Sequence, residues 1–334
     1  AWHPMPFGRF MVWYTLIFLV CTVLLAVDLR RAGLWRTGWQ HRWLPRRLGR
    51  SMATYSVFTL SASMAGIVLG NMDQLMIGAL LGSNALSLVA HYAVASSFGA
   101  VIAPPARAVQ QAAVPLLADA WKRGDMAMIA MLYRRSSLIQ LLVSGYLFIL
   151  IWVGVDELFA LLPAEYSNAV DVVLVIALAY LITSAVQLGV GIISMSRSYR
   201  LDAISSYAML AINGIAGYFL IRSMGIVGAA WSTLIALVAV NVFRTWFLWQ
   251  RYRLWPFDGR SLRVVLLMMG LSLVLPWVPL SGTPFLDLVL AGLLVTLTYW
   301  PLAHGLRFTG ELKEFMAGLR IGRGEMKRAA QEES

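Results

Sequence analysis

Nine stretches of about twenty residues, each nearly free of charge, follow one another along this chain, and each is long enough to cross a hydrocarbon core of about 30 Å as a helix. They fall at 10–27, 51–81, 85–117, 138–155, 172–196, 204–221, 225–243, 264–280 and 288–304. One such run would also suit a buried helix of a large soluble protein, but nine in succession, joined by short connections, leave no polar sequence to form a soluble surface. The chain is 60% hydrophobic and 13% charged over 334 residues, too apolar for a water-facing domain. In lipid, every backbone amide must be satisfied within its own segment, so uninterrupted apolar runs become helices. The expected fold is an all-α, polytopic transmembrane helix bundle of about nine spans.

The formal charge of +11 is unevenly placed. Arg30, Arg31, Arg36, Arg42, Arg46, Arg47 and Arg50 lie between the first two spans, whereas the next connection has no basic residue. Lys122, Arg123, Arg134 and Arg135 precede a connection that carries only Asp156, Glu157 and Glu165. The alternation continues to the tail, with Arg307, Lys313, Arg320, Arg323, Lys327 and Arg328. Cytoplasmic loops retain Lys and Arg, so this pattern predicts a multi-pass membrane protein with a cytoplasmic C-terminus. The basic surplus is read as topology and contact with anionic lipid, and not as a nucleic-acid surface. Nine spans then put the N-terminus outside. The chain starts Ala-Trp-His-Pro with no signal peptide or basic segment before the first span, so the sequence reads as a fragment preceded by an odd number of spans.

Trp and Tyr cluster near span ends, for example Trp13, Trp152, Trp246, Trp249, Trp277 and Trp300, where an amphipathic ring suits the headgroup level. Small residues at four-residue spacing, Ser61/Ala65, Gly66/Gly70 and Gly78/Gly82, with Gly214, Ala216 and Gly217, are expected to let helices pack closely. Pro104 and Pro105 lie inside the third span and predict a kink or break, which a membrane tolerates where protein or a hydrated cavity covers it. From Leu306 to Leu319 apolar and charged residues alternate near helical spacing, as in an amphipathic helix on the cytoplasmic face.

An ionisable group inside a span costs about 2.5–3.5 kcal/mol, and such groups tend to face a bundle interior or an aqueous path. Arg107, with Gln110, Gln111 and Gln187, forms the substrate-binding candidate: a guanidinium stays charged and offers a planar fork of donors to phosphate oxygens, to which amides add hydrogen bonds. The competing reading is that Arg107 snorkels to the headgroups. Asn71, Asp73 and Gln74, toward the outer end of the second span, form either an ion-binding cluster or an interhelical hydrogen-bonded cap. Gln140, Gln187 and Asn213 read as isolated amides that bond between helices, and Arg244 as an anchor at the inner interface. The lone Cys21 and four scattered His residues support no disulfide framework and no metal site. No catalytic triad, paired carboxylates on a large loop or phosphate-binding Gly-rich loop occurs, so no cofactor and no enzymatic activity are expected, and secondary transport fits better than an ATP-driven motor.

The segment "DQLMIGALLGSNALSLVAHYAVA", residues 73–95, resembles the junction of helices seven and eight in the Wzx-type polysaccharide flippases of the multidrug/oligosaccharidyl-lipid/polysaccharide exporter superfamily. Ser87 stands where that family often has Gly, and His91-Tyr92 falls in its aromatic region. "LPAEYSNAVDVVLVIALAY" at 162–180 is similar to the outer loop before helix ten, and "MGIVGAAWSTLIA" at 224–236 to the turn between helices eleven and twelve. The resemblance covers roughly 51–250. It implies two six-helix lobes rocking about a central cavity, with residues 1–29 as the last helix of a missing first lobe. Residues 30–50 would then be a basic cytoplasmic linker, 51–250 the second lobe, 261–304 two additional helices and 305–334 a cytoplasmic tail. It also implies a cargo, an oligosaccharide on undecaprenyl pyrophosphate flipped from inner to outer leaflet for surface polysaccharide or lipopolysaccharide (O-antigen). An H+ or Na+ coupling ion and a polysaccharide polymerase partner go with that implication, and Arg107 would face the pyrophosphate. A multidrug or small-metabolite exporter of the same superfamily is the nearest alternative, and an integral-membrane glycan polymerase or ligase a more distant one.

Overall fold

The structure, a computed structural model, describes residues 7–31, 46–82, 85–278 and 282–305. All regular structure among the described residues is helical, and nine helical segments are long and apolar enough to span a bilayer. The amphipathic segment expected at 306–319 and most of the basic linker lie outside the described residues.

The chain divides into two compact units, Ala1–Met52 and Ala53–Ser334. The first contains helix α1, Phe7–Arg31. Its apolar side chains, including Trp13, Ile17 and Leu24, are exposed, as in a helix whose neighbours are lipid tails.

The second unit is a helical bundle. Helix α2, Arg46–Leu80, enters it from residue 53 onward. Helix α3, Ala85–Gly99, runs into a 3-10 turn at Ala100–Ile102 and then into α4, Ala103–Arg123. The break expected from Pro104 and Pro105 is therefore present, just before them: proline lacks the N–H that would close the preceding turn, and both prolines sit in the first turn of α4, where that donor is not needed. Gly124, at φ 71°, ends α4. Asp125 caps the next helix by accepting from the Met128 N–H at 2.9 Å, and α5 runs from Met126 to Ala160. This helix begins twelve residues before the apolar run at 138, because a good N-cap and strong helix formers carry it through Arg134 and Arg135.

Helices α6, Val170–Val186, and α7, Leu188–Met195, divide the expected fifth span at Gln187. Helices α8, Arg200–Met224, and α9, Ile226–Tyr252, form a hairpin about Gly225, whose φ of 62° few other residues adopt. Helix α10, Gly259–Val274, starts from a capping box between Asp258 and Ser261. Helix α11 is Pro284–Gly305.

Three apolar clusters hold the bundle. One joins α2, α3, α5, α6, α8 and α9 through Ile77, Tyr92, Val172, Val173 and Ile221. The second packs Leu117, Tyr133, Leu188, Ile192 and Leu248. The third seats α10 and α11 on α5 through Leu142, Met268, Val295 and Tyr299, with the Tyr299 hydroxyl donating to the Leu142 carbonyl at 2.7 Å. Lipid tails are as apolar as Leu, so contact density and interhelical hydrogen bonds do the holding. Gly214 and Gly217 serve that end as expected: a Cβ at either would press on Met72 or Met76 of α2. Gly66 and Gly70 do not, because nothing lies within 4 Å of the Cβ that either lacks; they border open space.

Candidate functional site

That open space is a cavity of about 650 Å³ inside the second unit, walled by α2, α3, α4, α6, α7, α8 and α9. Its residues recur at helical spacing on each wall. On α2 the stripe is Thr59, Ala62, Ser63, Gly66, Leu69, Gly70, Asp73 and Gln74; on α6 it is Ile176, Tyr180, Thr183 and Ser184, with Gln187 just past its end. Steps of three and four bring side chains onto one face. The faces turned inward carry hydroxyls, amides and small residues interspersed with larger apolar ones such as Leu69, Ile176, Met209 and Leu237, while α2 presents Leu60, Ile67 and Leu75 outward.

At the end nearer Gly225, Asp73 is buried and ties four helices together. It accepts from the Tyr92 hydroxyl of α3 at 2.5 Å, from Thr233 Oγ1 of α9 at 2.6 Å and from Asn213 Nδ2 of α8 at 3.1 Å. Asn213 also donates to Thr233 Oγ1 at 3.0 Å, and its Oδ1 is buried with no hydrogen-bond partner. Gln74 lines the cavity beside Asp73. Asn71 does not join them: it is exposed and donates to the Ile67 carbonyl one turn back in its own helix, at 2.8 Å.

Arg107 lines the cavity from α4, just past the 3-10 turn. Its side chain is exposed to that space and makes no ion pair or hydrogen bond with any described residue. Gln187 lines the cavity too and donates to Gln110 Oε1 at 2.9 Å, so these two amides form a pair rather than standing alone. Gln111 is exposed and does not line the cavity. Gln140 lies behind α4 and donates to the Ala106 carbonyl at 3.3 Å.

The far end departs from the sequence expectation. Arg244 of α9 is no interface anchor; it is buried, lines the cavity and forms an ion pair with Asp202 of α8 at 2.9 Å. Along α9, Thr233 and Arg244 are separated by about 16 Å at 1.5 Å per residue, so the carboxylate cluster and this ion pair mark opposite ends of the cavity. The signal was in the hairpin: Asp202 and Arg244 lie at comparable distances on either side of the Gly225 turn, which brings them level on adjacent helices. Asn213 and Thr233 are level with each other for the same reason.

Electrostatically, the cavity thus has a carboxylate satisfied by three donors, a guanidinium satisfied by a carboxylate, and a further guanidinium with no counter-charge among the described residues. Such a space can take up an anion with many hydroxyl groups.

No protein-family model and no curated protein matches this chain. Two solved structures are similar in outline. One is described as the outward-facing conformation of a multidrug resistance MATE family transporter of the MOP superfamily, at 16% identity and a TM-score of 0.46 over 79% of this chain and 66% of that one. The other is described as a crystal structure of MATE in complex with Br-NRF, at 16% identity and a TM-score of 0.45 over 79% of this chain and 72% of that one. The chain spans just under two thirds of the first of these by length.

Proposed function

We propose that this multi-pass membrane chain acts in export, moving an oligosaccharide on a polyisoprenyl diphosphate from the inner to the outer leaflet of the bacterial inner membrane by alternating access, with its C-terminus in the cytoplasm. One observation carries the reading: an unpaired guanidinium, Arg107, in a cavity of about 650 Å³ of mixed polar and apolar lining between the membrane-spanning helices. A charge in that setting marks a path for an ion or a charged substrate, and phosphate oxygens match the guanidinium fork. The Ser and Thr hydroxyls on the walls suit a cargo rich in hydroxyls, and the volume lies within the range of about 300–1,000 Å³ typical of small-molecule sites. A polysaccharide polymerase would take the product on the far side.

In the cell that makes this protein, replacing Arg107 by Ala at the native locus is expected to cut surface polysaccharide by about tenfold or more, the effect of losing one charge-assisted contact of about 1.5–3 kcal/mol. The lipid-linked precursor should accumulate on the cytoplasmic leaflet. Unchanged polysaccharide, together with new sensitivity to cationic dyes on deletion of the gene, would favour the second reading, a multidrug exporter. The observation in favour of that reading is Asp73, a carboxylate on the cavity wall. Glycan bond formation by the purified protein would instead identify a polymerase.

In the flippase reading, the Asp73 cluster holds the coupling ion, H+ or Na+. The carboxylate, the free Asn213 Oδ1 and the Tyr92 and Thr233 hydroxyls supply the oxygen ligands that a hard cation takes. Exchanging choline for Na+ is expected to raise the melting temperature of the purified protein, and Asp73→Asn to abolish that response, because only an ion that binds the folded state stabilises it. A protein whose melting and transport ignore both Na+ and a pH gradient has no coupling ion there.

A further inference from the structure

The two guanidinium groups on the cavity wall are in different states. Arg107 is free, while Arg244 is occupied: its Nε donates to Ser205 Oγ at 2.8 Å, and its Nη2 to Asp202 Oδ1 at 2.9 Å and to Ser206 Oγ at 3.1 Å. These partners are all on α8, and Arg244 is on α9. The second carboxylate oxygen, Asp202 Oδ2, accepts from Ser194 Oγ of α7 at 2.6 Å. A single ion pair therefore ties three helices together at the end of the cavity away from Gly225. Its Nη1 makes no hydrogen bond with any described residue and is not sealed off from the cavity.

An enclosed ion pair of this kind adds little net stability, because the desolvation of both charges offsets their attraction. Exchange of the carboxylate for another anion keeps Arg244 paired, while the released Asp202, whose side chain is 17% exposed, keeps the Ser194 hydroxyl as a donor. A phosphate oxygen offers the guanidinium the same charge-assisted bonds as the Asp202 carboxylate, and a diphosphate can take Nη1 and Nη2 together. The diphosphate would also repel the carboxylate it displaces.

We propose that Arg244 is a second anion-binding group of the cavity, masked by Asp202, and that an arriving diphosphate takes the place of the carboxylate and unfastens α8 from α9 and α7. The inference rests on the reading that the cavity receives an anionic cargo. It supplies what that reading lacks, a physical difference between the loaded and empty states. A ligand shifts a conformational equilibrium only by its differential affinity for the two states, and here the difference is which anion holds Arg244.

The test uses the purified full chain in detergent with inorganic pyrophosphate as the probe. Calorimetric titration measures binding, and hydrogen exchange follows the backbone amides of 200–206. Saturating pyrophosphate is expected to speed exchange at these amides by about tenfold, the scale of a typical coupling between sites, although a ligand that merely stiffened the site would slow it. Asp202→Asn is expected to bind pyrophosphate about tenfold more tightly, having lost the competing charge, and to show no further change in exchange on binding. Ser194→Ala, which only loosens the carboxylate, should fall between the two and serves if Asp202→Asn folds poorly. Pyrophosphate binding that depends on Arg107, with 200–206 unchanged or slowed and no gain from either substitution, overturns the masked site and leaves the anionic cargo standing. Absence of pyrophosphate binding in the unaltered protein and in both variants overturns both.

Discussion

Arg244→Ala is expected to lower the melting temperature of the purified protein by about 5 °C, the outcome of leaving the partly buried Asp202 carboxylate without its counter-charge at a cost of about 2 kcal/mol. The substitution removes every contact that the guanidinium makes to Asp202, Ser205 and Ser206. Asp202 is left with the Ser194 hydroxyl as its remaining side-chain donor. The double substitution Asp202→Leu with Arg244→Met should melt well above Arg244→Ala, because it removes both charges and leaves none to be compensated. Differential scanning fluorimetry of the three proteins in one detergent decides the matter. A single variant as stable as the parent would mean that water, not Asp202, neutralises Arg244.

Gly228→Ala is expected to be the most disruptive single methyl in the bundle. A Cβ there overlaps the Leu220 carbonyl group on the facing helix, and a backbone carbonyl has no rotamer by which to escape. Overpacking against side chains costs about 1–3 kcal/mol, and here the α8–α9 hairpin itself must part, so about 3 kcal/mol or more is expected. Gly214→Ala is the control, because its Cβ meets the Cε of Met72 at 2.6 Å, the flexible end of a side chain that can swing away. Size-exclusion profiles should show a monodisperse peak for Gly214→Ala and a greatly reduced one for Gly228→Ala. Equal profiles would show that the hairpin does not hold the two helices this close.

The spans were legible because the bilayer imposes a length and a polarity that any window of sequence reveals. The break beside Pro104 was legible because it is covalent. Less visible was where helices exceed the membrane: α5 carries Arg134 and Arg135 inside its first turns, and a search for uncharged runs stops at such residues. Partnerships were hidden for a different reason. Asp73 and Asn213 are 140 positions apart and Asp73 and Thr233 160, and no local pattern says which faces of α2, α8 and α9 will meet. The same ignorance of faces joined Gln111 to Arg107 at four-residue spacing, when the inward stripe of α4 is Ala103, Ala106 and Arg107. Small residues were ambiguous in kind, since Gly214 and Gly66 look alike in sequence, yet one is pressed by a methionine and the other faces a void.

Gly66 and Gly70 set the calibre of the chamber by what they omit. A Cβ at either would meet nothing within 4 Å, so exchange for Ala or Ser would narrow the bore at little cost in folding. A lineage of such proteins could thus be regauged for bulkier or slimmer cargo at two positions, with the charged fittings at either end left untouched.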